Sequence, residues 1–160
     1  EKNHDLQPAS NSERILAQSV LRAGYAAVMA VESGLDKSTC ANVAMAGLMH
    51  DIALLDELQT LVQTVSQRHV PPGELQKDHA VIGSHMVASI DGVSELTIRM
   101  MCEVHEQTDG SGLPYNLTAE NISFGGRILN VADAYVRMIS DPSNAPIFPS
   151  DALAHLVHHT

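Results

Sequence analysis

A histidine directly followed by an aspartate, His50-Asp51, ends a long run of small and apolar residues and is the strongest chemical signal in the chain. Burying either polar side chain without a partner costs roughly 2–7 kcal/mol. A metal ion would satisfy both, because imidazole nitrogens and carboxylate oxygens are ordinary metal ligands. A metal site needs more than two ligands, so other histidine and acidic residues in apolar segments are further candidates.

Three such residues lie in otherwise apolar, helix-like segments, namely His79, His105 and Asp133. Helical bundles build metal sites from side chains that project inward from facing helices. Mixed imidazole and carboxylate ligands favour Fe, Mn, Zn or Co over Ca, and an Asp beside a His can bridge two ions. A single histidine in a helix is more often a satisfied polar residue than a ligand, so this interpretation depends on the combination.

A run of backbone breakers follows His105-Glu106, with the sequence Thr108-Asp109-Gly110-Ser111-Gly112-Leu113-Pro114. A tight turn after a helix explains the glycines and the proline. It does not explain the His-Glu pair immediately before them. A tight loop beside a ligand could instead line a ligand cleft.

The elements that position these residues are predicted to be helices, because apolar residues recur at helical spacing and no strand alternation is present. The fold class is predicted to be all-α, a single bundle of about six to seven helices with the metal site in its core. The second helix, which ends at His50-Asp51, is apolar nearly all round and should be central. Residues 1–10 are interpreted as a tail or linker, and residues 11–160 as one domain, which we expect to be excised from a longer protein. The expected helices cover about residues 11–33, 36–51, 56–67, 73–90 and 94–107, and two more begin near Ser123 and Ser150. The apolar side of the first is expected to consist of Ile15, Leu16, Val20, Ala23, Ala27 and Val31.

Composition narrows the classes of function. The 160 residues carry a formal net charge of −10, which argues against binding to DNA through the phosphate backbone. No apolar run reaches membrane-spanning length, so membrane insertion is not expected. The two cysteines lack metal-site spacing and are interpreted as reduced, buried thiols, which favours a cytoplasmic setting.

These motifs together resemble the HD-GYP domain, a branch of the HD superfamily of metal-dependent phosphohydrolases. The resemblance covers nearly the whole chain, from about Ser12 to His158. The matching elements are His50-Asp51-Ile52, His79 with Gly83 four residues later, His105-Glu106-Gln107-Thr108-Asp109-Gly110-Ser111-Gly112-Leu113-Pro114, and Arg127 followed by Val131-Ala132-Asp133-Ala134.

The resemblance implies a cyclic di-GMP phosphodiesterase that yields a linear dinucleotide or GMP, in which metal-activated hydroxide attacks phosphorus. It implies transition-metal cofactors, Fe or Mn, with one or two ions per chain. It also implies an upstream sensory or receiver domain, a GGDEF domain protein as a partner, and a homodimer. The implied catalytic residues are Asp51 and His50. The implied metal ligands are His50, Asp51, His79, His105 and Asp133. The implied substrate-binding residues are Arg127, Gly110, Gly112 and Pro114.

Four positions depart from the family pattern. Gln18 stands for a first-helix histidine, Val104 for the first histidine of a His-His pair, Leu54 for a phosphate-binding lysine, and Leu113 for the tyrosine of the GYP motif. Valine cannot ligate a metal and leucine cannot hold a phosphate. Three hypotheses therefore stay open: a divergent phosphodiesterase, a degenerate HD-GYP module that binds a partner or nucleotide with little or no turnover, and a hydrolase of another phosphorylated substrate.

Overall fold

The computed structural model describes residues 10–55, 58, 72–140 and 148–159, and within these ranges the side chains of 72–77 and 157–159 are not described. The described ranges form six α-helices and one 3-10 turn, and their only β-type pairing is an isolated bridge between Asp109 and Thr118. The predicted all-α class is confirmed, while the helix expected over 56–67 lies, apart from Leu58, outside the described residues. The helices are α1 (Asn11–Glu32), α2 (Lys37–Met49), α3 (Pro72–Val87), α4 (Glu95–Glu103), α5 (Phe124–Ser140) and α6 (Pro149–His159), and the 3-10 turn is Ile52–Leu54.

Side-chain caps start three of these helices. Ser10 and Glu13 form a reciprocal capping box at α1, and the Asp36 carboxylate accepts the first free backbone N–H groups of α2. Ser94 caps α4 in the same way. The α4 helix ends at Glu103, so His105 lies in the turn after it rather than within the helix expected to reach residue 107.

The α2 helix is central, as its apolar composition predicted. It packs against α1, α4 and α5, while α3 packs on α4 and on the 3-10 turn, and α6 packs on α5. Side chains of these helices meet in one core that contains the fully buried Val43, Met100, Met101 and Leu129. His50 follows the last residue of α2 and is thereby held at the inner end of this core.

The predicted apolar side of α1 is wrong for three of its six residues, while Ile15, Ala23 and Ala27 are partly buried. Leu16, Val20 and Val31 are each more than half exposed, while Arg22 and Ala26 face the interior. Apolar residues lie on both sides of this helix, so periodicity alone does not choose between them. The inward side is the one with small residues, which allow close packing, and with Arg22, which has buried partners described below.

Among the described residues, α1 alone has the length and apolar composition with which a helix could cross a membrane, and that test by itself is weak evidence. Here the helix packs along α2 and α5 and directs Arg22 into the protein interior. Both features are those of a bundle helix.

Gly83 allows α3 to approach His50 closely. A Cβ atom at this position would lie 3.2 Å from the backbone oxygen of His50 and 3.2 Å from a methyl group of Ile52. We expect Gly83→Ala to lower the free energy of unfolding by about 1 kcal/mol, because the overpacking outweighs the gain in helix propensity.

Gly24→Ala is the matched control, since a Cβ atom there meets nothing within 4 Å. It should raise the free energy of unfolding by about 0.5–1 kcal/mol. Urea denaturation followed by circular dichroism measures both variants. Equal stabilisation by the two alanines would show that the contact at Gly83 imposes no constraint.

Candidate metal centre

The structure brings the five predicted ligands together from four parts of the chain. His50 and Asp51 follow α2, His79 lies on α3, His105 lies in the turn after α4, and Asp133 lies on α5. Each of the three histidines offers one ring nitrogen, and these nitrogens all lie within 4.8 Å of one another.

The closest approaches are among the three histidines and the carboxylate of Asp51. The Nε2 atoms of His79 and His105 are 3.0 Å apart. Oδ1 of Asp51 lies 3.0 Å from Nε2 of His50 and 3.2 Å from Nε2 of His79. Asp133 is more distant, with Oδ1 3.9 Å from Nε2 of His50 and Oδ2 3.9 Å from Nδ1 of His105. The three imidazoles and Asp51 therefore form the centre of the cluster, and Asp133 lies at its edge.

The fit of a metal ion is supported by His50. Its side chain is completely buried, and neither ring nitrogen has a hydrogen-bond partner, although Nε2 is near Asp51. A buried polar atom left unpaired costs about 1–3 kcal/mol. A cation bound between the imidazoles would remove that cost, and three nitrogen ligands with one carboxylate oxygen form a donor set suited to a divalent transition metal.

The protonation states of Asp51 and His105 also favour metal binding. Burial opposes ionisation of Asp51, but His50, His79 and Arg22 outweigh it and hold the pKa of this carboxyl well below its usual value. Burial lowers the pKa of His105 to about 4, against the opposing effect of Asp133. At neutral pH the cluster therefore contains an ionised Asp51 and an uncharged His105, which are the forms that bind metals.

A buried arginine, which the sequence analysis missed, adjoins the cluster. Arg22 is 1% exposed. Its Nη1 lies 3.2 Å from Oδ2 of Asp51, and its Nε donates to Oδ1 of Asp133 at 2.8 Å. Its spacing could have revealed it. Arg22 precedes Ala26 by four residues and Ala30 by eight, so it lies as a single charged residue on a helix face of small side chains.

The positions that depart from the family pattern have ordinary structural contacts. The Gln18 side chain donates to Oγ of Ser140 at 3.1 Å, and Arg22, one turn later on α1, is the residue that reaches the cluster. Val104 is fully buried in the hydrophobic core. Leu54 ends the 3-10 turn and is partly buried.

The loop after His105 is held by Glu106, whose role the sequence left unexplained. This residue is completely buried, and its two carboxylate oxygens accept the backbone N–H groups of Tyr115 at 2.6 Å and Leu117 at 2.8 Å. Its backbone oxygen accepts from the side-chain amide of Asn130 on α5. Glu106 therefore fixes both ends of the loop next to a cluster histidine.

The glycines of this loop are used for two different reasons. Gly110 has a φ of +82°, a conformation that L-residues with side chains rarely adopt. Gly112 is buried against the backbone of Glu106 and Gln107, where a Cβ atom would overlap their atoms. The Leu113 N–H donates to the backbone oxygen of His105 at 3.1 Å, so Gly112, Leu113 and Pro114 pass close to this cluster residue.

The arginine beside the cluster on α5 is Arg137. Its Nη2 lies 2.9 Å from Oδ2 of Asp133, one helical turn away. Arg127, the predicted phosphate-binding residue, is exposed, and its guanidinium lies 5.4 Å from the ring centroid of Phe124. The structure does not bring Arg127 together with the five ligands.

All-helical domains with histidine and acidic side chains clustered in the bundle core form a class that builds metal sites in this way. This chain has both features. A family model described as the HD domain matches residues 7–160, and the chain belongs to this family. The predicted membership of the HD superfamily is confirmed.

Curated proteins with similar sequences are cyclic di-GMP phosphodiesterases by name. The chain is 31% identical over 97 residues to the cyclic di-GMP phosphodiesterase PA4108 of Pseudomonas aeruginosa, which covers 61% of this chain and 23% of the relative. It is 26% identical over 148 residues to the cyclic di-GMP phosphodiesterase PdeB of Borreliella burgdorferi, which covers 91% of this chain and 38% of the relative. The chain thus spans less than two fifths of the length of either protein.

The fold is also similar to a solved structure. Bd1817, a HDG"Y"P protein from Bdellovibrio bacteriovorus, matches with a TM-score of 0.67 and 17% sequence identity, over 95% of this chain and 49% of Bd1817. The similarity supports the predicted helical fold.

Proposed function

We propose that this chain is a metal-dependent phosphodiesterase domain that hydrolyses cyclic di-GMP to a linear dinucleotide or GMP. The observation that carries the proposal is the cluster of His50, His79 and His105 around Asp51, in which the buried ring nitrogens of His50 make no hydrogen bond. The names of the two curated relatives support cyclic di-GMP as the substrate.

The proposed cofactor is Fe or Mn, held by the three imidazoles and by Asp51. A divalent ion bound there supplies Lewis-acid polarisation of a phosphoryl oxygen and activation of water. The low pKa of His105 keeps its ring uncharged and able to donate a lone pair at neutral pH. The ionised Asp51 contacts His50 and His79 and so orients both rings.

Binding of an anionic dinucleotide by a chain of net charge −10 requires local positive charge. Arg137 is the best-placed exposed cation, because it contacts Asp133 at the edge of the cluster and its side chain is 57% exposed. Gly110, Gly112 and Pro114 are proposed to line the substrate side of the loop. Arg127 remains a predicted phosphate contact, and its position over Phe124 gives that prediction no support.

A binding module without turnover is the second candidate. It is favoured by one observation, namely that the Arg22 guanidinium already forms ion pairs with both Asp51 and Asp133. The two candidates differ in one measurable property, since a module would bind cyclic di-GMP or a protein partner but would not release linear product.

The test uses two histidines of the same helix. His79 belongs to the cluster, whereas His85, six residues later on α3, is exposed. We expect the purified chain to hydrolyse cyclic di-GMP in the presence of Mn²⁺ or Fe²⁺ and to lose activity in a chelator. His79→Ala should lower the rate at least about 100-fold, because one ligand is removed.

His85→Ala should retain the wild-type rate, and chromatography of the nucleotide products measures all three proteins. Absence of hydrolysis by the wild type with either metal, together with tight binding of the intact dinucleotide, would favour the module instead. Equal rates for the two alanine variants would remove His79 from the site.

The remaining associations stay predictions of the resemblance: an upstream sensory or receiver domain joined through residues 1–10, a GGDEF domain protein as partner, and a cytoplasmic location. Self-association has one supporting feature, namely that α1 exposes several large apolar side chains, among them Leu16, Val20, Val28 and Val31. Light scattering of the same preparation reports its oligomeric state.

A further inference from the structure

The two oxygens of the Asp51 carboxylate have different partners. Oδ1 is directed at the imidazoles of His50 and His79. Oδ2 lies 3.2 Å from Nη1 of Arg22. One oxygen is therefore available to an ion in the histidine cluster, and the other already has a cationic partner.

The same guanidinium also contacts Asp133. Its Nε donates to Oδ1 at 2.8 Å, so Arg22 spans the two carboxylates that the sequence offers as metal ligands. In two-metal sites a shared carboxylate presents its second oxygen to the second ion. Here Nη1 of Arg22 lies at ion-pair distance from that oxygen without a hydrogen bond to it, and Nε of Arg22 donates to Oδ1 of Asp133.

Arg22 cannot readily leave this position. The residue is 1% exposed and lies on the inward face of α1, which packs along α2 and α5. An arginine stays protonated at all physiological pH values, so the positive charge persists between the two carboxylates. A divalent ion placed against it would meet direct electrostatic repulsion.

We propose that the Arg22 guanidinium takes the place of a second metal ion, so that this centre binds a single ion between His50, His79, His105 and Asp51. The proposal rests on the metal centre of the proposed function and adds its stoichiometry. Arg22 acts as a positioning residue: it orients Asp51 and Asp133 and is too deeply buried to contact the substrate.

The test counts the metal ions bound by the intact chain. Protein stripped with a chelator is titrated with Mn²⁺ by calorimetry, and the bound metal is measured by elemental analysis after desalting. The wild type should bind one equivalent. Arg22→His, which removes the fixed charge and adds a donor beside Asp51 and Asp133, should bind two.

Two variants serve as controls. Arg22→Lys retains a positive charge at this position and should bind one equivalent. Arg137→Met removes the other arginine that contacts Asp133 but leaves Asp51 paired with Arg22, so it should also bind one. Thermal denaturation gives a second readout, in which Mn²⁺ should raise the melting temperature of Arg22→His more than that of the wild type.

The possible results are distinguishable. Two equivalents in the wild type would overturn the proposal, whether or not the variants fold, and would leave the metal centre intact. One equivalent in a folded Arg22→His would also overturn it, because Arg22 would then not be what excludes the second ion. No binding in the wild type would overturn the metal centre itself and this proposal with it.

Discussion

Asp51→Asn is expected to abolish tight metal binding and to lower the rate of cyclic di-GMP hydrolysis at least about 1,000-fold, or about 4 kcal/mol in the activation free energy. The carboxylate contacts three groups of the centre, His50, His79 and Arg22. Asparagine keeps the shape but loses the charge on which both the metal and the guanidinium depend. In the metal-free protein the free energy of unfolding should also fall by about 3 kcal/mol, because a buried arginine loses one of its two charged partners.

Asp109→Asn is the matched control for this substitution. Asp109 is an exposed carboxylate of the loop, where it accepts hydrogen bonds from the N–H and the hydroxyl of Ser111. Asparagine supports the same turn, so activity, metal content and stability should stay near those of the wild type. Elemental analysis, the hydrolysis assay and urea denaturation together measure the outcome. Wild-type metal content in Asp51→Asn would show that this carboxylate is not a ligand.

Glu106→Gln is expected to lower the free energy of unfolding by about 2 kcal/mol and to loosen the loop specifically. Each carboxylate oxygen of Glu106 accepts one backbone N–H, and hydrogen bonds to a charged group contribute about 1.5–3 kcal/mol each. The amide of glutamine would direct a donor at one of these N–H groups, leaving two donors opposed. Hydrogen exchange of the Tyr115 and Leu117 amides should accelerate before exchange elsewhere does.

Glu120→Gln provides the comparison within the same loop. Its exposed carboxylate accepts only from the Thr118 hydroxyl among the contacts described for it, and its loss should change stability by less than about 0.5 kcal/mol. Unchanged exchange at Tyr115 and Leu117 in Glu106→Gln would show that the loop is held by its glycines and its backbone contacts instead.

The cluster itself could be predicted from sequence because its residues are unusual for their surroundings. His50, His79 and Asp133 lie in segments otherwise made of small and apolar residues, where an unpaired polar group is costly. The helices could be predicted for a related reason, since Asp36 and Ser94 are strong N-caps at the start of apolar periodic segments. Both patterns are local in the sequence, so they can be recognised without knowledge of the tertiary contacts.

The errors concern features that depend on distant partners. From the sequence alone, Arg22 has the character of a surface charge. Only the fold places its partners, Asp51 and Asp133, beside it. Its burial in turn decides which side of α1 faces inward, and Leu16 and Val20 are exposed as a result. The role of Glu106 could not be predicted either, because its partners are backbone N–H groups, which the sequence does not identify.

The link between Arg22 and Asp133 has a consequence for the order in which the domain assembles on the ribosome. The two residues are separated by 111 positions, whereas Arg22 and Asp51 are separated by only 29. The first helix and the His-Asp motif are therefore both translated well before Asp133. The contact between Arg22 and Asp133 can form only after α5 has left the exit tunnel, so completion of the centre depends on a late segment of the domain.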